Sequence, residues 1–197
     1  MFGLPVTITV GGCEYPIRCR GDYRMVLDCF NALNDISMDE QYRVFTALII
    51  FYDNMTSIED VVEAFGDNLQ EAIKKMYDFY NCNQKNIGSQ QNYKLVDWDS
   101  DSQMIASAIN NVARTEIRAV EYCHWWTFMG YYLAIGDCAL STVVGIRHKL
   151  KTGGKLEDYE KKFRKENPEY FIWDSDTIEQ KQAEDYIRNL WNKNKEE

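Results

Sequence analysis

Eleven consecutive residues, Tyr122 to Tyr132, read Tyr-Cys-His-Trp-Trp-Thr-Phe-Met-Gly-Tyr-Tyr and carry six aromatic rings besides the histidine. At about 100° per residue, Trp125, Phe128 and Tyr132 share one side of a helix, while Tyr122, Trp126 and Met129 share a neighbouring one. Rings spread over two sides cannot all pack against a single neighbour. The helix predicted over residues 118–133 therefore lies at the centre of a core or keeps a face for a partner, and Trp125, Trp126 and Phe128 are candidate contact residues.

The rest of the chain supplies helices for that one to pack on. Residues 5–10 alternate apolar and polar, Gly11-Gly12 fits a tight turn, and residues 13–19 give a second short strand, so a β-hairpin opens the chain. Asp22 caps a helix with Met25, Val26, Cys29, Phe30 and Leu33 on one side, and Ser37-x-x-Glu40 reads as a capping box for a helix running to Tyr52. Ser57-Ile58-Glu59-Asp60 opens another helix, and residues 68–82 follow the same period. After the polar stretch 83–92, Asp101 caps a helix, residues 139–150 form the next, and residues 155–166 make a charged helix stopped by Asn167-Pro168. A last helix over 176–193 places Ile187 and Trp191 one turn apart, which makes Trp191 a further contact candidate. The expected fold is mainly α, a helical bundle-like domain with an N-terminal β-hairpin. Its segments are 1–83, a linker at 84–94, an aromatic-rich region at 95–172 and a C-terminal helix at 173–197, all compatible with one domain.

Charge narrows the function. With 22 basic and 31 acidic residues the net charge is -9, a field that repels nucleic acid and anionic lipid. The opening MFGLPVTITVGG lacks the basic and long apolar regions of a secretion signal, and no apolar run reaches the roughly 18 residues of a membrane span. These features predict a cytosolic protein with six reduced cysteines. Chemistry finds few footholds. The two histidines, His124 and His148, are far apart and lie in no H-E-x-x-H. Asp97-Trp98-Asp99-Ser100-Asp101 imitates the start of a calcium loop, but Ser102 and Ala108 stand where that loop needs Gly and Glu. Asp99 and Asp101 are accordingly read as helix caps. Gly153-Gly154-Lys155 is a helix stop and not a phosphate loop. The reading is of a protein that is not an enzyme and has no cofactor or metal. The basic run from Arg147 to Lys165 is interleaved with Glu157, Asp158 and Glu160, as on a solvated helix, although Arg147 is kept as a candidate for meeting an acidic partner.

A family resemblance adds to this. Trp98-Asp99 with Asp101, Glu121-Tyr122-Cys123-His124-Trp125-Trp126-Thr127-Phe128, Ile135-Gly136-Asp137, the run Ser141 to Lys149, then Gly154-Lys155-Leu156 and Glu160 follow the order of the bacteriophage gp-fifteen-like family of long-tailed phages and prophages of Gram-positive bacteria. The chain resembles that family most between 93 and 167 and more loosely over 1–83. Cys123 departs from the family's usual Leu at that place. The resemblance implies a non-enzymatic tail assembly chaperone in the host bacterial cytoplasm. Its partners would be the tape-measure protein and the major tail protein, and a homo-oligomer is compatible with that role. The alternative it leaves open is a structural tail or connector component retained in the virion.

Overall fold

A computed structural model describes residues 3–84 and 95–171 of the chain. The predicted linker falls almost wholly on 85–94, and the predicted last helix with Trp191 on 172–197; both lie outside the described residues. The chain is mainly α with one N-terminal hairpin. The elements are β1 (Thr7–Val10), β2 (Cys13–Pro16), α1 (Tyr23–Asn34), α2 (Glu40–Phe51), α3 (Ile58–Phe65), α4 (Leu69–Tyr80), α5 (Ser102–Ala113), α6 (Trp125–Leu133), α7 (Ala139–Thr152) and α8 (Asp158–Glu166).

Contacts divide the chain into two compact units, 1–90 with 106–135, and 91–105 with 136–197. This differs from the consecutive segments expected from the sequence, because residues 117–128 are tied by hydrogen bonds and ring contacts to residues 5–24 and 79–80. None of the described helices is long and apolar enough to cross a membrane.

In the first unit β1 and β2 pair antiparallel, with Ile8 opposite Tyr15 and Val10 opposite Cys13. Gly11 and Gly12, at φ 56° and 83°, make the two-residue turn whose twist suits such a hairpin. Tyr15 lies on the inner face against Tyr52 and Phe65, and its hydroxyl donates to the Ala64 carbonyl at 2.8 Å. Helices α1 to α4 and α6 contribute the core, in which Val26, Phe51, Tyr52, Val61, Met76, Phe79 and Trp125 are buried. The caps explain the helix starts. Asp22 accepts the Arg24 N–H at α1, and Ser57 and Asp60 form the expected reciprocal box at α3.

Two expectations are corrected. The capping box at Ser37 does not form: Ser37 turns back to Asp35, its hydroxyl 2.6 Å from Oδ1, and α2 starts at Glu40 after Asp39. The helix predicted over 118–133 begins only at Trp125. Upstream, Ile117–Ala119 form a single 3₁₀ turn, and Cys123 is then drawn into extended pairing with residues 22 and 23. A helix continuing through 120–124 would lose those long-range bonds.

Candidate functional site

The aromatic helix is held by a polar anchor at its N-terminus. His124 is 1% exposed, and both of its ring nitrogens are used. Nδ1 accepts the Trp126 backbone N–H at 3.0 Å as the helix cap, and Nε2 lies 3.0 Å from the Pro5 carbonyl. Only the neutral ring protonated on Nε2 satisfies both bonds. Burial lowers its pKa from the usual value, with the Pro5 carbonyl and Asp22 opposing that shift. Asp22 joins the same cluster: its carboxylate accepts from the Cys123 N–H at 2.9 Å and from the Arg24 guanidinium at 3.1 Å. Arg24 also donates to the Val120 carbonyl at 2.6 Å and stacks 4.6 Å from the centre of the Tyr23 ring.

The chain reaches this cluster through a strained turn. Cys19, Arg20 and Gly21 are successive left-handed residues at φ 49°, 54° and 77°. A side chain on Gly21 would place its Cβ 2.9 Å from Phe79 and 3.0 Å from His124 Nε2. The Tyr122 hydroxyl donates to the Arg20 carbonyl at 2.9 Å and holds the turn from outside.

The candidate contact residues of α6 are largely inside. Trp125 is 1% exposed, its indole N–H donates to the Tyr80 carbonyl at 2.9 Å, and its ring meets Phe30 edge-on. Phe128 is buried and stacks on Tyr23 with ring centres 4.4 Å apart. Trp126 is half-buried and donates from its indole N–H to the Phe79 carbonyl at 3.0 Å. The C-terminal turn of α6 is more open, with Leu133 66% exposed and Tyr131 and Tyr132 half-buried. Ile36, Tyr42 and Val62 are further large apolar side chains exposed on this unit.

In the second unit Arg147 is buried and not displayed to a partner. It is 5% exposed, facing Asp101 at 2%. Nη1 donates to Asp101 Oδ2 at 2.6 Å and to the Leu95 carbonyl at 3.0 Å; Nη2 donates to Asp101 Oδ1 at 2.9 Å and to the Tyr170 carbonyl; Nε donates to Tyr170 at 2.9 Å. All five guanidinium N–H groups are therefore engaged. Asp101 also accepts the Asp97 N–H at 2.9 Å, while Asp97 accepts from Asp99 and Ser100. The acidic run that imitates a calcium loop is thus a turn closed on an arginine. A second pair, Lys149 with Glu160, makes two bonds of 2.7 Å and joins α7 to the first turn of α8, where Glu160 also accepts the Glu157 N–H. Among the described residues no group of three His, Cys, Asp or Glu is placed to hold a metal ion.

The sequence matches the family model described as Bacteriophage Gp15 protein over residues 3–171. The chain belongs to this family. No curated protein and no solved structure matches it. The match extends across both units and includes the N-terminal hairpin and acidic helices as well as the aromatic helix. Of the five contact candidates, Trp125, Trp126 and Phe128 come together in the first unit, Arg147 lies in the second, and Trp191 is outside the described residues. The pairing roles of His124, Asp101 and Glu160 were missed from sequence. The available signal was a charged or imidazole side chain at an inward helix position or a helix cap beside apolar neighbours: Arg147 follows Ile146 within α7, and His124 precedes Trp125 at the start of α6.

Proposed function

We propose that this Gp15-family protein serves phage tail assembly by protein contact rather than catalysis, in the host bacterial cytoplasm. Its client is the tape-measure protein, with the major tail protein as second partner. The observation that supports a contact role is the saturation of His124 and Arg147: each ring nitrogen and each guanidinium N–H is spent on holding the fold. The apolar side chains left outward on the first unit, Leu133, Ile36, Tyr42 and Val62, offer contact area for apolar stripes of a helical client. Many copies along one long client need only weak individual affinity.

A second reading, a structural tail or connector component, is favoured by the burial of Trp125 and Phe128. It takes two of the ring-bearing contact candidates of α6 off the surface. Co-expression with the tape-measure protein of the same genome tests the first reading. A soluble complex weakened by Leu133→Ser supports it; an insoluble client, with this protein present in purified virions by mass spectrometry, selects the second.

A further inference from the structure

The outer edge of β1 is closed at both ends and open in the middle. In a two-residue hairpin the residues flanking the turn, Val10 and Cys13, exchange hydrogen bonds, and pairing then alternates. The Ile17 N–H on the Val6 carbonyl, 2.9 Å, has the same parity. Residues 6, 8 and 10 therefore face β2, and residues 5, 7, 9 and 11 face outward. Two of these outward positions have partners. The Pro5 carbonyl lies 3.0 Å from His124 Nε2, and the Gly11 N–H donates to Glu71 Oε2 at 3.0 Å. Thr7 and Thr9, both exposed, have no backbone partner on this edge among the described residues.

A shallow groove of about 200 Å³ runs along this open stretch, lined by Pro5, Thr7, Ile8 and Thr9 and walled by Lys75, Asp78, Phe79 and Asn83. Asp78 is paired with Lys74, whereas Lys75, half-buried, has no ion-pair partner among the described residues. The strand residues Thr7–Val10 themselves carry none of the charges, prolines or bulges that usually blunt an exposed strand, Pro5 standing just before them. Helix α4 supplies Lys75, Asp78 and Phe79 to the far wall.

We propose that this groove docks an extended segment of a partner polypeptide, which adds to β1 as a third strand through Thr7 and Thr9 and sets a carboxylate against Lys75. This inference rests on the edge geometry and stands apart from the tail-assembly reading. The test is amide hydrogen exchange by NMR on the whole chain, with the acetylated, amidated peptide Thr-Val-Thr-Val-Asp and its fully N-methylated analogue as probes. At about 1 mM, the weak end of specific binding, the first peptide slows exchange at Thr7 and Thr9 and leaves the already paired Ile8 unchanged, while the analogue has no effect. Lys75→Gln weakens binding about fivefold, the range of a partly solvated charge pair. Thr9→Pro, which removes an outward N–H and no hydrogen bond to β2, abolishes it while α4 and α6 resonances stay in place. Unchanged exchange at both threonines, or equal binding of the N-methylated analogue, overturns the proposal. So does protection that grows with protein concentration alone, because the occupant is then a second copy.

Discussion

Replacing Arg147 by Met leaves a carboxylate in a site built for its neutralisation. Asp101 keeps the Asp97 N–H but loses two guanidinium bonds, and the Leu95 and Tyr170 carbonyls lose their donors. At 5% and 2% exposure for the two partners, water does not reach in to replace them. Breaking such a pair from one side costs about 3 to 5 kcal/mol, against a whole-domain stability of about 5 to 15 kcal/mol. The loss should be local, since the ion pair ties α7 to residues 95–101 and to the 3₁₀ turn Pro168–Phe171. Hydrogen exchange with mass spectrometry reads it directly. A 3 kcal/mol loss speeds opening-limited exchange in α7 roughly 150-fold at 25 °C. Asp101→Asn gives the reciprocal defect, an unneutralised guanidinium, of similar size. The double change Arg147→Met with Asp101→Leu removes both charges and recovers part of the loss, the two carbonyls remaining without donors. Salt leaves the effect unchanged because the pair is not screened by solvent ions. Exchange in α7 within about threefold of the parent in both single variants would refute the claim that this pair holds the second unit.

Three further outcomes follow from the first unit. His124 has a folded pKa below its unfolded value of about 6.5, so the unfolded chain binds the extra proton first and stability falls as pH drops from about 6.5 toward the folded pKa. Urea midpoints at pH 7.5 and 5.5 should differ in the parent and converge in His124→Asn, which keeps a cap acceptor but does not titrate there. Gly21→Ala adds a Cβ at φ 77°, 2.9 Å from Phe79 and 3.0 Å from His124; a loss of about 2 kcal/mol is expected by chemical denaturation, more than the conformational cost alone. Alkylation followed by peptide mass spectrometry should modify Cys13 and Cys19 quickly and spare Cys29, which is buried and whose thiol burial pushes up to about 12, until the protein is unfolded.

What could be read from the sequence depended on the range of the interaction that decides each element. The hairpin, the Asp22 and Ser57 caps and the stop at Gly153 rest on contacts within a few residues, and these match. The start of α6 does not, because the competing partner for residues 120–124 is some hundred positions away, at Asp22 and Tyr23. Ser37 shows the same failure at short range, where two acceptors compete and Asp35 wins over a helix cap. For the site, aromatic density singles out residues 125–128, but periodicity cannot tell a core face from a binding face. That choice is made by Tyr23, Phe30, Phe79 and Tyr80, which surround the rings.

The residues that look most like chemistry in this chain are its buried ties, and this changes where binding has to be sought. An alanine at Trp125, Phe128 or Arg147 would remove a core contact or strand a buried charge, so a lost interaction in such a variant would report unfolding as readily as a lost surface. Positions that separate the two effects are those whose side chains the fold does not use. Leu133 at 66% exposure makes little use of the core, and Thr7 and Thr9 point their free backbone groups outward. Substitutions there should leave the exchange protection of α6 and α4 intact. If binding to a tail partner then falls, the contact is at the surface; if it survives there but falls with Trp126→Phe in a protein of unchanged stability, the half-buried indole edge is part of the contact after all.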